Sequence, residues 1–457
     1  MNILYIIPYI PFPLNSGGNQ AFFNMVNEAR KVHQVSLLLR IRNDKDRENA
    51  GQLQEVWPDA RLYLLDETAT NAQAKTTAAE EEDAGLSGVT AWKCRLFDSI
   101  RRSMERKIRR STRRALMKKK AEAIAREDSV ATNEILGSFV REHSVLYHGI
   151  DGNEDFYEYV YHTSRQGFDL IQIEFYEYLP LVYLLPKDVK KVFVHHELHY
   201  VRVENEMNLF DRISQADRLK YQMDFQEELS ALNQYDKIVT LTEVDRELLS
   251  VHIPSDKLYV SPALTEACKA TTQQEWQPAR DLVFIGGGDH FPNADGVMWL
   301  ATKVLPALRQ TGTNAKVYVV GKWDKVMQEQ IHAFAPNIVF TGFVDNLMSF
   351  LCGKISVVPI RIGSGMRMKI LDSINAGTPM VTTSKGCEGL PLRDGEHCFI
   401  TDDATVFAQR IAQLMQNKDV QKKFVEAARS QMGGQMDGSE LLRRRMALYE
   451  SMTQTVS

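Results

Sequence analysis

Cysteine is scarce in this 457-residue chain, and what there is does not pair by spacing. Cys94, Cys268, Cys352, Cys387 and Cys398 are odd in number and include no C-x-x-C. A disulfide framework and a zinc site of ordinary spacing are therefore not indicated, and a reducing cytoplasm is the expected compartment. Long apolar runs are missing too: no stretch of about 18 residues is apolar enough to span a bilayer. The N-terminal MNILYIIPYIPFPLNSGG has no basic n-region and leads into a first strand, so it reads as mature structure and not as a signal peptide. Neither half carries G-x-G-x-x-G, which argues against a nucleotide-dependent dehydrogenase. No strand-end Asp-x-Asp reads as suited to a divalent metal. The net charge of −4 gives no overall nucleic-acid signature.

What is present is an ordinary globular composition, 44% hydrophobic and 25% charged, in a chain long enough for two domains. Residues 2–7 form an apolar run suited to a strand buried on both faces. The turn Asn15-Ser16-Gly17-Gly18-Asn19 then precedes a helix from about Gln20 to Val32, and Val35–Leu39 reads as the next strand. This order opens a doubly wound α/β domain, whose ligands lie at the carboxyl ends of strands. Further strands are expected at Arg61–Leu65, Phe168–Phe175, Lys191–Val194 and Lys237–Leu241, with a helix-like Leu179–Leu185 and a long polar helix over 203–235. Thr242-Glu243-Val244-Asp245 has the form of a capped helix start. The first domain is expected over 1–262, with an insertion at about 67–145. The polar, aperiodic residues 263–280 are the expected linker, 281–430 the second domain, and 431–457 a final helix that suits either domain. The second domain opens on the strand Asp281–Ile285, followed by GGGDHFPN, a helix over Asp295–Leu308, and strands at Lys316–Val320 and Ile338–Phe340.

The most informative stretch is ISVVPIRIGSGMRMKILDSINAGTPMVTTSKGCEGL, residues 355–390. A strand at 355–360 meets the turn Gly363-Ser364-Gly365, after which Met366, Ile370 and Ile374 recur at helical spacing. First-turn amides of such a helix lack intrahelical partners and point at the turn, which makes an anion cradle. Arg361, Arg367 and Lys369 add positive charge there, and Asp372 lies one turn on, within reach of a sugar hydroxyl. Packing alone explains the strand–turn–helix. The concentration of charge at one strand end favours a ligand site.

Two other segments stand out. Trp92 to Lys120 is strongly basic, with Trp92, Leu96, Phe97, Ile100, Met104 and Ile108 as an apolar stripe at helical spacing. That composition suits an anionic membrane surface; a solvated helical insertion packed on its own domain is the alternative, and nucleic acid is not favoured. The strand Lys191–Val194 delivers His195-His196-Glu197-Leu198-His199. Without H-E-x-x-H spacing, these read as polar groups that position a sugar, or as a strand-end cap, ahead of metal ligands.

Taken together, GGGDHFPNADGVMWL, TGFVDN and GSGMRMKILDSINAGTPMVTTSKGCEGL resemble the donor domain of GT-B glycosyltransferases of the large retaining family 4. The resemblance covers both halves and is strongest over about 281–400. It implies two Rossmann-like domains facing a cleft, and transfer of a sugar from a UDP- or GDP-linked donor to a glycan or lipid-linked saccharide. No metal or other cofactor is implied, and the work is expected at the inner face of the cell membrane. By the same resemblance Gly342, Phe343 and Val344 meet the nucleoside, and Asp372 stands where a family glutamate holds the ribose. Ser364 replaces the first glutamate of that pair. Gly17, Gly18, Arg361, Ser364, Gly365, Met366, Arg367 and Lys369 surround the diphosphate, and His195, His196 and Glu197 lie near the transferred sugar as catalytic candidates. A GT-B epimerase acting on UDP-sugars and a non-catalytic glycosyltransferase-like partner subunit are the alternatives.

Overall fold

The computed structural model describes residues 1–14, 17–68, 154–209, 213–263, 276–435 and 438–453. The basic segment 92–120 and most of the expected linker lie outside the described residues. Among the described residues thirteen strands form two sheets, one of seven strands and one of six. Every paired strand is parallel to its neighbour.

In the first sheet the strands are β1 (Asn2–Ile6), β2 (Gln34–Ile41), β3 (Arg61–Asp66), β4 (Leu170–Glu174), β5 (Lys190–His195), β6 (Lys237–Thr240) and β7 (Leu258–Val260). Their order, β3-β2-β1-β4-β5-β6-β7, reverses direction between β1 and β4. The second sheet holds β8 (Asp281–Ile285), β9 (Val317–Val320), β10 (Ile338–Gly342), β11 (Lys354–Val358), β12 (Met380–Thr382) and β13 (Phe399–Ile400) in the order β10-β9-β8-β11-β12-β13. Its direction reverses between β8 and β11. A crevice at the carboxyl ends of the strands opens at each such reversal, so the turns after β1, β4, β8 and β11 are where a ligand belongs.

The helices that matter for the site are α1 (Gly17–Ala29), α2 (His199–Met207), α3 (Gln215–Leu232), α4 (Glu243–Ser250), α5 (Phe291–Trp299), α6 (Met368–Asn375), α7 (Lys418–Gln435) and α8 (Gly438–Thr453). Four expectations need correction. The long helix over 203–235 is two helices, α2 and α3, because Ser214 caps a new start by accepting from the Asp217 amide at 3.1 Å. The helix expected from Asp295 begins earlier, at Phe291, with Pro292 in its first turn, and passes through a π turn at Leu300–Val304 before Leu305–Gln310. The expected Leu179–Leu185 is instead the end of a 3₁₀ segment, Tyr176–Leu184, which tolerates Pro180, with Leu185 extended just beyond it. Met366 is buried but precedes α6.

Although it follows the second sheet in sequence, α8 packs on α1 beneath the first. Tyr449 reaches Gln172 of β4, and Thr453 lies against Met1. The preceding α7 holds to the other side: Arg429 donates to the carbonyls of Ile374 and Asn375 at 3.1 and 2.9 Å. No described helix is long and apolar enough to cross a membrane.

Candidate active site

The turn after β11 builds the lower wall. Gly363 and Gly365 have φ of +109° and +78°, a region open to glycine at no steric cost. Their second requirement is proximity. A Cβ on Gly365 would overlap the His196 carbonyl oxygen, and one on Gly363 would stand 2.8 Å from Glu197 Oε1. Between them Ser364, 1% exposed, accepts a hydrogen bond from the Leu198 amide at 2.6 Å. The glycines therefore let the second sheet's turn lie directly on the His196-Glu197-Leu198 segment that leaves β5. A similar approach occurs beside it, where a Cβ on Gly389 would overlap Thr242. Asp245, raised by burial above its ordinary carboxyl range, faces the Gly365 amide at 3.4 Å.

The cations of the cradle are not equivalent. Arg361 is held by Asp295 of α5 in a two-pronged pair at 3.0 and 2.6 Å, so its charge is largely neutralised. Arg367 folds back on its own turn, donating to the carbonyls of Ser364, Gly365 and Ile362. Carbonyls brace the guanidinium but leave its charge in place. Lys369 Nζ donates to Asn293 Oδ1 at 2.6 Å and sits 4.4 Å from the centre of the Phe284 ring. Burial, and then the neighbouring Arg367, push its pKa down to about 7. Asp372, 6% exposed, is pushed up to about 7 by burial against the opposing pull of Lys369. No side chain caps α6, and its first turn holds no acidic residue. The positive end of that helix dipole is thus free for an anion.

Across the seam, the strand-end cluster divides. His195 departs from the expectation of a cleft group: it is 1% exposed, with Nε2 2.9 Å from Glu228 Oε1. Glu228 also accepts from the His199 and Tyr200 amides at 3.1 and 2.9 Å, so this pair anchors α2. His196 is half-buried, stacked on Phe175 with centroids 4.0 Å apart, and its Nε2 is 2.8 Å from Glu174 Oε2. Glu197 pairs with Arg202 at 3.0 Å and lies 3.9 Å from His290 of the second half. Burial alone would raise this carboxyl, but Arg202, His290 and Arg367 outweigh it and hold the group well below the usual carboxylate range.

Gly17 and Gly18 open α1, which packs against α6 across the two halves. Asn19 and Gln20 donate to the carbonyls of Pro13 and Leu14 at 2.9 and 3.2 Å, tying the loop after β1 to that helix. At the end of β10, Gly342 has φ of +71° and exchanges a bridge with Gly321, while Phe343 is 75% exposed and Val344 packs partly inward. Among the described residues no three His, Cys, Asp or Glu side chains group as a metal site. Glu174, Arg202, His290, Asn293 and Asp295 escaped the sequence reading, although His290, Asn293 and Asp295 lie in or beside the GGGDHFPN segment it singled out.

Residues 279–417 match the model of the family Glycosyl transferases group 1. An uncharacterised 44.6 kDa protein in the cps region of Klebsiella pneumoniae is 25% identical over 145 residues. That alignment spans 30% of this chain and 37% of the relative. Among solved structures, a variant of S. aureus TarM in complex with fondaparinux, alpha-GlcNAc-glycerol and UDP superposes with a TM-score of 0.61 at 10% identity, over 98% of this chain and all of that one. Sucrose-phosphate synthase from Thermosynechococcus elongatus gives 0.62 at 13% identity, over 99% of both chains. Anabaena HepE in complex with UDP gives 0.57 at 10% identity, over 99% of this chain and all of HepE.

Proposed function

We propose, from the match of residues 279–417 to the group 1 glycosyltransferase model and from the GT-B fold, that this chain moves a sugar from a UDP-linked donor to a saccharide or lipid-linked acceptor in polysaccharide assembly. Transfer proceeds with retention and without a metal ion. The observation that carries this reading is the uncapped α6 with Arg367 and Lys369 at its start, facing His196 and Glu197 across a seam of glycine contacts. The UDP in the TarM and HepE structures supports uridine over guanosine in the donor. The cps-region relative supports a polysaccharide product.

In this reading the diphosphate lies on the α6 amides between Arg367 and Lys369. The nucleoside extends along the same rim to Gly342, Phe343 and Val344, with Asp372 toward the ribose. The bond from the sugar's anomeric carbon to the diphosphate oxygen breaks as the acceptor oxygen bonds to that carbon on the same face. The acceptor's proton passes to the departing phosphate oxygen, so no enzyme nucleophile is required. Preorganised positive charge at the leaving group supplies the main electrostatic stabilisation. His196 and Glu197 position the sugar's hydroxyls. The basic segment 92–120, outside the described residues, is the part proposed to meet an anionic membrane surface at the cytoplasmic face.

Calorimetry with UDP and GDP tests the core of the proposal. UDP is expected to bind, and Arg367→Ala with Lys369→Ala to abolish binding. Absence of any nucleotide binding in the native chain would overturn the reading in favour of a non-catalytic partner subunit. Vesicle flotation with and without anionic lipid tests the membrane clause separately.

A further inference from the structure

A line of buried polar groups runs from the last helix to the wall of the cleft, and its chemistry allows one direction only. Gln172 and Glu174 are two apart on β4 and so share one face of the sheet. They are 0% and 2% exposed. A buried carboxylate needs donors, and Glu174 has two: Gln172 Nε2 at 2.6 Å and His196 Nε2 at 2.8 Å. Because an ionised carboxylate only accepts, the Gln172 amide must turn its NH₂ toward Glu174 and its oxygen away. That oxygen takes the hydroxyl of Tyr449, a fully buried residue of α8. The Tyr449 oxygen in turn accepts from Arg445 Nη1 at 3.2 Å. Burial raises the Tyr449 pKa, which keeps the phenol a donor. The same logic fixes the other end. His196 must carry its proton on Nε2, toward Glu174, so in the neutral ring Nδ1 is left as an acceptor. Stacking on Phe175, with ring planes 4° apart, holds the imidazole in place.

We propose that Tyr449 and Gln172 are positioning residues which act through Glu174 to hold His196 in the Nε2-protonated form, presenting Nδ1 to a hydroxyl of the transferred sugar. The role for Nδ1 rests on reading the cleft as a nucleotide-sugar site; the hydrogen-bond line does not. The inference gives the C-terminal helix a task in the reaction, since α8 is brought to the first sheet from the far end of the chain. It also explains polar residues at 172 and 174 in a strand that is otherwise apolar and wholly buried.

The test uses the full chain labelled with ¹⁵N-histidine, with the His196 ring signals assigned by their loss in His196→Gln. The native protein should show the Nε2-protonated tautomer at His196. Tyr449→Phe keeps the ring's packing and removes only the hydroxyl. It should leave Tm within a few degrees while shifting His196 toward a mixture of tautomers, and Glu174→Gln should do so more strongly. A role in packing alone would not move those signals, so an unchanged His196 spectrum in Tyr449→Phe, or an Nδ1-protonated ring in the native chain, would overturn the proposal. UDP calorimetry on the same samples separates the two readings. Native UDP binding that persists within about twofold in Tyr449→Phe is expected, because the diphosphate site lies on the other sheet. If the native chain binds no UDP, the functional reading fails while the spectra still decide the hydrogen-bond line.

Discussion

Lys369 should make nucleotide binding pH-dependent in a predictable direction. Its ammonium lies among Phe284, Asn293 and Arg367, with Asp372 the carboxylate that opposes its loss of charge. In the unliganded chain its pKa is about 7. A diphosphate placed beside it favours the charged form and returns the pKa toward the ordinary value of about 10. Below pH 7 the lysine is already protonated and binding costs nothing extra. Above pH 7 each bound diphosphate must bring a proton to it, so affinity falls about tenfold per pH unit until the bound-state pKa is reached. Between pH 7 and 9 that is ~100-fold, or about 2.7 kcal/mol. Asp372, raised to about 7, ionises over the same interval and adds negative charge to the site, steepening the fall. Calorimetry of UDP binding in two buffers of different ionisation enthalpy should report uptake approaching one proton near pH 8. Lys369→Met should bind weakly and lose this dependence, and whatever slope remains belongs to the ligand and Asp372. Asp372→Asn should move the midpoint lower, because Lys369 then loses the group that supports its charge. A native affinity that matches the Lys369→Met slope from pH 6 to 9, with no proton uptake, would refute the argument.

Three further outcomes follow from the geometry. Gly365→Ala combines a left-handed backbone position, costing about 1 kcal/mol, with overlap of the His196 carbonyl. The seam must open, so small-angle scattering should show a larger radius of gyration and sugar transfer should fall by roughly 10²-fold. Glu228→Ala orphans the His199 and Tyr200 amides and removes the His195 partner. Urea unfolding should register a loss of roughly 3 kcal/mol. Thr242→Ala removes the side chain that caps α4 by accepting from the Asp245 amide at 3.0 Å. It should cost about 1 kcal/mol by the same measurement.

Much of the fold is legible because parallel strands covered on both faces must be apolar throughout. LVFI in β8 and ISVV in β11 announce themselves, and Asp281–Ile285 falls where the run of residues puts it. The strands that escape are β7 and β13, whose three and two residues are too few for any pattern. The placement of α8 is not legible either. Its apolar stripe says that one face is buried, and only tertiary packing determines against which sheet. Gln172 and Glu174 were visible as polar interruptions of FDLIQIEF, but a strand's period shows which face they share and not the tyrosine 277 residues away that completes their hydrogen bonds.

The sequence shows which charged groups stand near the turn after β11, but not how they pair. Sequence proximity made Arg361, Arg367 and Lys369 look like three equal cations. The partner of Arg361 is Asp295, 66 residues earlier, and pairing at that distance leaves no mark in the local sequence. Arg202 is likewise committed to Glu197. Among the described residues of this turn, Arg367 and Lys369 are the cations that hydrogen-bond to neutral oxygens, with Glu197 and Asp372 acting on them through charge alone. The serine at 364 belongs to the same account. A carboxylate there would bring a further negative charge into a buried seam beside Glu197 and Arg367. The Ser364 hydroxyl instead satisfies the Leu198 amide without adding charge. At this point the two halves are thus joined by a neutral hydrogen bond.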